Sequence, residues 1–155
     1  MPLLLRLLSF ALLGGLTARR VTTEGIAPYV GAVVAVVGMA IGLMLLRWAL
    51  FAFNPAVAKD HGYRGIKIAV GTGFMMMFPF AVLAAIAEVQ FGWNAVQAFA
   101  MAGIMTSGAA AGVELVKLGG GRLANAILPM LGGMALSTLW ALAAAVAPSL
   151  MEGLR

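Results

Sequence analysis

Residues 28–50 read PYVGAVVAVVGMAIGLMLLRWAL, and no charged side chain interrupts them before Arg47. At 1.5 Å rise per residue, a helix of about 20 residues matches the roughly 30 Å hydrocarbon core of a bilayer. The stretch opens at Pro28, a residue suited to a first helical turn. It closes on Arg47, Trp48, Phe51 and Phe53, the amphipathic and aromatic types that anchor at a headgroup level. Three further stretches satisfy the same rule. Residues 66–87 follow Tyr63, Arg64 and Gly65 and end at Glu88, with Phe91 and Trp93 beyond. Residues 95–116 end at Lys117 and the Gly119, Gly120, Gly121 turn, and residues 123–147 end at Pro148.

Composition agrees with this reading. Of the 155 residues, 63% are hydrophobic and 10% charged, with a mean hydropathy of +1.05, whereas ordinary soluble domains carry about 25% charged residues. So small a chain cannot bury that much apolar surface within itself, and the excess must face lipid. The expected fold is an all-α integral membrane protein. It is a bundle of four transmembrane helices over residues 21–155, a single domain, preceded by a short hydrophobic helix within residues 1–20. That N-terminal segment has an uninterrupted uncharged run only if Arg6 is set aside, carries Ser9 on the same face as Arg6, and leads into Arg19 and Arg20. It reads as an interfacial helix or a fifth span; a cleavable signal fits poorly, because Leu16 and Ala18 make a weak cleavage pair.

The net charge of +5 belongs to topology rather than to nucleic acid, since the cations flank the apolar runs. Arg47, Lys59, Arg64, Lys67, Lys117 and Arg122 collect on one side of the four spans, which marks that side as cytoplasmic. Arg47, Lys59, Arg64 and Lys67 are also candidates to hold an anionic lipid headgroup. A fifth span would add Arg6 to them and leave Arg19, Arg20 and Arg155 opposite. The implied location is multi-pass in a cell membrane of the bacterial inner-membrane kind, with lipids and other membrane helices, or further copies of the chain, as partners and no nucleic acid.

Small residues let helix backbones approach in lipid. Gly38 with Gly42, and Gly108 with Gly112, form two GxxxG pairs, and Gly103 with Ser107 extends the second. These six residues are the candidate helix-packing or oligomer interface. Gly38, Gly42 and Arg47 recur as Gly108, Gly112 and Lys117 at one constant offset, which raises a parallel repeat of two helix pairs. Pro79 and Pro129 lie inside spans and are candidate kinks.

The available chemistry is sparse. Glu24, Asp60, Glu88, Glu114 and Glu152 all fall at span ends or in loops, so the central carboxylate of a proton-coupled pump is missing. Glu114 lies one helical turn before Lys117 and reads as its interfacial ion-pair partner. There is no cysteine and His61 is the single histidine, which argues against a metal centre, a haem or any other cofactor. Met75, Met76 and Met77 cannot converge on a copper ion, because consecutive helical residues point about 100° apart. No paired carboxylates or activated nucleophile appear, and the chain is not expected to be an enzyme. Gln97, Thr106, Ser107 and Asn125 are the uncharged polar residues that would line a pathway. Two functions follow: a homo-oligomeric channel or uncoupled transporter for a small neutral or anionic solute, or a non-catalytic subunit that anchors or assembles a larger membrane complex.

Overall fold

The computed structural model describes residues 2–21 and 27–153. Among them the chain is helical apart from its short turns: α1 (Pro2–Val21), α2 (Ala27–Phe53), α3 (Pro55–Gly73), α4 (Met77–Phe91), α5 (Trp93–Leu118) and α6 (Ala124–Gly153), with a 3₁₀ turn at Phe74–Met76 joining α3 to α4. Helices of this composition satisfy every interior backbone group within one segment, which is what an apolar solvent demands. Four stretches are long and apolar enough to cross a membrane: Pro28–Phe53, Val57–Phe91, Trp93–Leu118 and Ala124–Val146.

The span expected at residues 66–87 is the central part of a longer, three-piece rod. It starts at Pro55, where proline occupies the first turn and costs no intrahelical donor. It breaks at Gly62, whose φ of 60° and ψ of −174° are accessible to glycine and strained for other residues. It then tightens into the 3₁₀ turn at Phe74–Met76, just ahead of Pro79. Pro79 has no N–H for the Met75 carbonyl, and a tighter turn re-pairs the ladder locally. The last helix departs from expectation at its far end, for α6 contains both Pro129 and Pro148 and continues to Gly153. Proline removes one hydrogen bond, but its fixed φ is itself helical, so the chain passes through Pro148 instead of stopping there.

Residue-by-residue contacts set the topology. A Cβ placed at Gly73 would collide with Ala111, and one at Gly103 would sit 2.6 Å from the Phe80 Cβ, so α4 and α5 run antiparallel. Their connection is the single residue Gly92, at φ 74°, a conformation that lets the chain reverse with no longer loop. α6 returns along an adjacent face of α5: Cβ atoms at Gly108 and Gly112 would lie 2.7 Å from Gly133 Cα and 3.2 Å from Ala126 Cα. α5 is therefore the central helix, and its inward residues Val96, Ala100, Ile104, Ala111 and Leu115 have no exposed surface.

The N-terminal segment is longer than its apolar run. α1 lies antiparallel on α2, with Gly14 wedged against Gly31 and Ala35, and Ala18 against Gly31. The polar groups that shorten the run on paper are accommodated within the helix. Ser9 Oγ donates to the Leu5 carbonyl at 2.7 Å, and Thr17 Oγ1 donates to the Leu13 carbonyl at 2.8 Å. Phe10, Leu13 and Leu16 join the common core. α1 runs from a groove that it shares with Arg47 at one end of the bundle to Trp93 at the other, where Arg20 stands 4.8 Å above the indole ring.

The packing does not repeat along the chain. α2 rests chiefly on α1, whereas α5, its counterpart at the constant offset, is clasped by α3, α4 and α6. Only 11% of the apolar stretch of α2 is buried within the chain, against 44% for α5. The two GxxxG pairs differ accordingly: Gly108 abuts backbone, while a side chain at Gly38 would meet nothing within 4 Å. Replacing Gly108 by Leu should therefore overpack the α5–α6 contact and cost about 3 kcal/mol, read as a lower thermal midpoint in detergent. Gly38→Leu should leave the midpoint of the single chain within about 0.5 kcal/mol of the original.

Candidate functional site

Small residues position most of what the sequence singles out. Gly103 admits Phe80 of α4, Gly108 and Gly112 admit α6, and Gly42 faces Leu136 of α6. Ser107 is fully buried and returns its hydroxyl to the Gly103 carbonyl at 2.7 Å. These residues work within one chain. Gly38 alone of the six faces outward.

The four polar candidates for a pathway do not converge within the chain. Thr106 is exposed on the flank of α5, beside the buried Ser107. Gln97 is half-buried near the first turns of α5. Asn125 is buried in the first turn of α6, its amide nitrogen against Gly119 and without a hydrogen-bond partner. Gln97 and Asn125 thus belong to opposite ends of the bundle. The three methionines diverge as helical spacing requires, with Met77 buried, Met75 half-buried and Met76 exposed.

Charge is sorted between the two ends. One end gathers Arg6, Arg47, Lys59, Arg64, Lys67, Lys117 and Arg122 from five different helices and turns. Glu114 is bound there to Lys117, at 2.7 Å in an i,i+3 pair exposed to solvent. An exposed pair of this kind contributes at most about 1 kcal/mol. His61, at the last residue before the Gly62 break, reaches across to α5, and its Nε2–H donates to the Leu118 carbonyl at 2.9 Å. That bond satisfies one of the carbonyls left open at a helix C-terminus and ties the start of the α3–α4 rod to the end of α5. Together with Arg64, Gly65 and Ile68, these two residues line an open hollow of about 250 Å³.

A second groove, of about 110 Å³, lies between α1 and α2. Its walls are Leu3, Leu7, Phe10, Val36, Ala40 and Leu43, and its polar lining consists of Arg6 and Arg47 alone. The two guanidinium groups thus line one groove from opposite helices. Arg47 Nε is buried and has no hydrogen-bond partner. Glycine makes this arrangement fit: Arg6 lies over Gly71 of α3, where a Cβ would stand 3.3 Å from its Nη1. Of the cations singled out for headgroup contact, Arg47 is half-buried in this groove, whereas Lys59, Arg64 and Lys67 are exposed on α3. The sequence places Arg6 on their side only with a fifth span, and it is the antiparallel α1–α2 contact that brings it into the groove with Arg47.

Among the described residues, the opposite end carries Arg19, Arg20 and Glu88 together with two indoles. Trp93 packs on Trp140 with ring centroids 6.2 Å apart, beneath Arg20. Such a cation over an indole face is stabilised by about 0.5–1 kcal/mol at an exposed site.

No protein family, curated protein or solved structure matches this chain. Its functional reading therefore rests on its own residues. Removing the His61 imidazole by His61→Ala should uncap α5 and cost about 1 kcal/mol, measured by thermal unfolding in detergent. Arg64→Gln, in the same hollow but without a carbonyl to cap, should not reproduce that loss.

Proposed function

We propose that this chain is a non-catalytic, multi-pass membrane protein that serves as a subunit, anchoring or assembling a larger membrane complex through the outer faces of α2 and α6. The observation that carries this reading is how the small and polar residues are used. Gly103, Ser107, Gly108 and Gly112 close the bundle on itself, and the pathway candidates are divided between its flank and its two ends. What one chain leaves unoccupied is lateral. Val33, Val34, Val37, Ile41 and Leu45 of α2 are all more than half or about half exposed, and Gly38 among them offers close approach to another helix.

In this reading α1 crosses the bilayer as a fifth span. Its 20 residues rise about 30 Å, and its contacts extend from the Arg47 groove to Trp93. The cation-rich end then faces the cytoplasm of a cell membrane, following the bias of Lys and Arg toward the inner side. The N-terminus lies inside and the C-terminus outside.

A second reading, a homo-oligomeric channel or uncoupled transporter for a small neutral or anionic solute, draws on the same outward Gly38. In it, the α2 faces of several copies surround an axis, and the path forms between chains.

The two readings part on mass and flux. In mild detergent, a subunit should run as a single chain together with other membrane polypeptides, and liposomes holding it alone should pass no more solute than empty ones. A closed ring of identical chains with solute flux overturns the subunit reading in favour of the channel. Gly38→Leu should weaken assembly in either case while leaving the chain folded. Reporters at the two termini should fall on opposite sides of the membrane, and reporters on the same side would remove the fifth span.

A further inference from the structure

Two like charges do not share an apolar groove without cost. Arg6 and Arg47 come from helices far apart in sequence, yet they are the whole polar lining of the groove between α1 and α2. The other lining residues are all apolar. The buried Nε of Arg47 lacks an acceptor, and a buried donor left unmade costs about 1–3 kcal/mol. An anion placed between the guanidinium groups would supply the acceptor that Arg47 Nε lacks and meet two positive charges at once.

The surroundings specify which anion. Trp48 next to Arg47 is 71% exposed, and Phe51 stacks edge-on against Tyr63 at 5.9 Å. Aromatic side chains of this kind belong at the headgroup level. The arginine pair therefore stands where lipid phosphates lie. Guanidinium forks match phosphate oxygens two at a time. Around the pair, the groove is walled by Leu3, Leu7, Phe10, Val36, Ala40 and Leu43, a surface suited to acyl carbons and not to a hydrated ion.

From this geometry we infer that the α1–α2 groove is a binding site for one anionic phospholipid, with its phosphate between Arg6 and Arg47 and the start of an acyl chain along the leucine-lined wall. The site rests on the membrane reading above and adds a ligand to it. A lipid so placed joins the N-terminal helix to the rest of the bundle.

The test is native mass spectrometry of the full chain in detergent, titrated with phosphatidylglycerol, with phosphatidylcholine of the same acyl chains, and with inorganic phosphate. Phosphatidylglycerol should bind about tenfold more tightly than phosphatidylcholine, and R6Q and R47Q should each lose about fivefold of that affinity. R64Q, a cation of the same end outside the groove, should stay within about twofold. Equal binding of the two lipids overturns the site. So does an R64Q loss as large as that of R47Q, which would mean a diffuse basic surface. Inorganic phosphate that displaces phosphatidylglycerol at equal concentration would make the groove a free-anion site and overturn the lipid assignment. Where R47Q fails to fold, the comparison of lipids on the unaltered chain decides, together with R47K, which keeps the charge and loses the fork. Termini on opposite sides of the membrane combined with no lipid preference would sink this site alone and leave the membrane reading standing.

Discussion

Close approach of helix backbones around α5 is the constraint on which the bundle depends. In an apolar solvent, helices gain little from burying leucine against leucine, and association follows the contacts that only small side chains permit. α5 offers Gly103 to α4 and Gly108 with Gly112 to α6. It receives Gly73 of the α3–α4 rod against Ala111. Three neighbours are fixed by four glycines, and the large residues Phe74, Ile104 and Leu115 then fill what remains with no exposed surface. α1 and α2 form a second, separate close contact at Gly14 and Gly31, and join the first layer through larger side chains.

This division into a tight core and a lightly held pair explains where charge can sit. At the glycine contacts of α5 the helices come too close for an ionisable side chain to lie between them. Between α1 and α2 the contact is tight at Gly14 and opens toward the N-terminus, and Arg6 and Arg47 occupy that opening. The remaining cations of that end are carried by the exposed side of α3, by the last turn of α5 or by the turn after it, where water screens them.

Much of the architecture could be read before any coordinates, because stretches such as 28–50 and 95–116 are recognised by length and absence of charge alone. Those signals do not depend on which helix touches which. Pairing does. Gly38 with Gly42 and Gly108 with Gly112 have the same spacing, yet one pair lies partly open and the other is pressed onto a backbone, since a GxxxG period marks a small face without naming its partner. The N-terminal helix was only half legible for a related reason. Arg6, Ser9 and Thr17 break its apolar run, but two of them are hydroxyls satisfied within their own helix. The groove itself had no signature, for it is made by an antiparallel contact that places residue 6 beside residue 47. Nor did composition foretell the His61 bond to Leu118, which requires both the break at Gly62 and the end of α5 to arrive at one place.

The one-residue link at Gly92 has a bearing on biogenesis. With one residue between them, α4 and α5 form a tight helical hairpin. In the membrane reading proposed above, the two would enter or leave a bilayer together, with the earlier and later segments arranged around them. The same tightness leaves that tip without a loop for a protease or an antibody to grip.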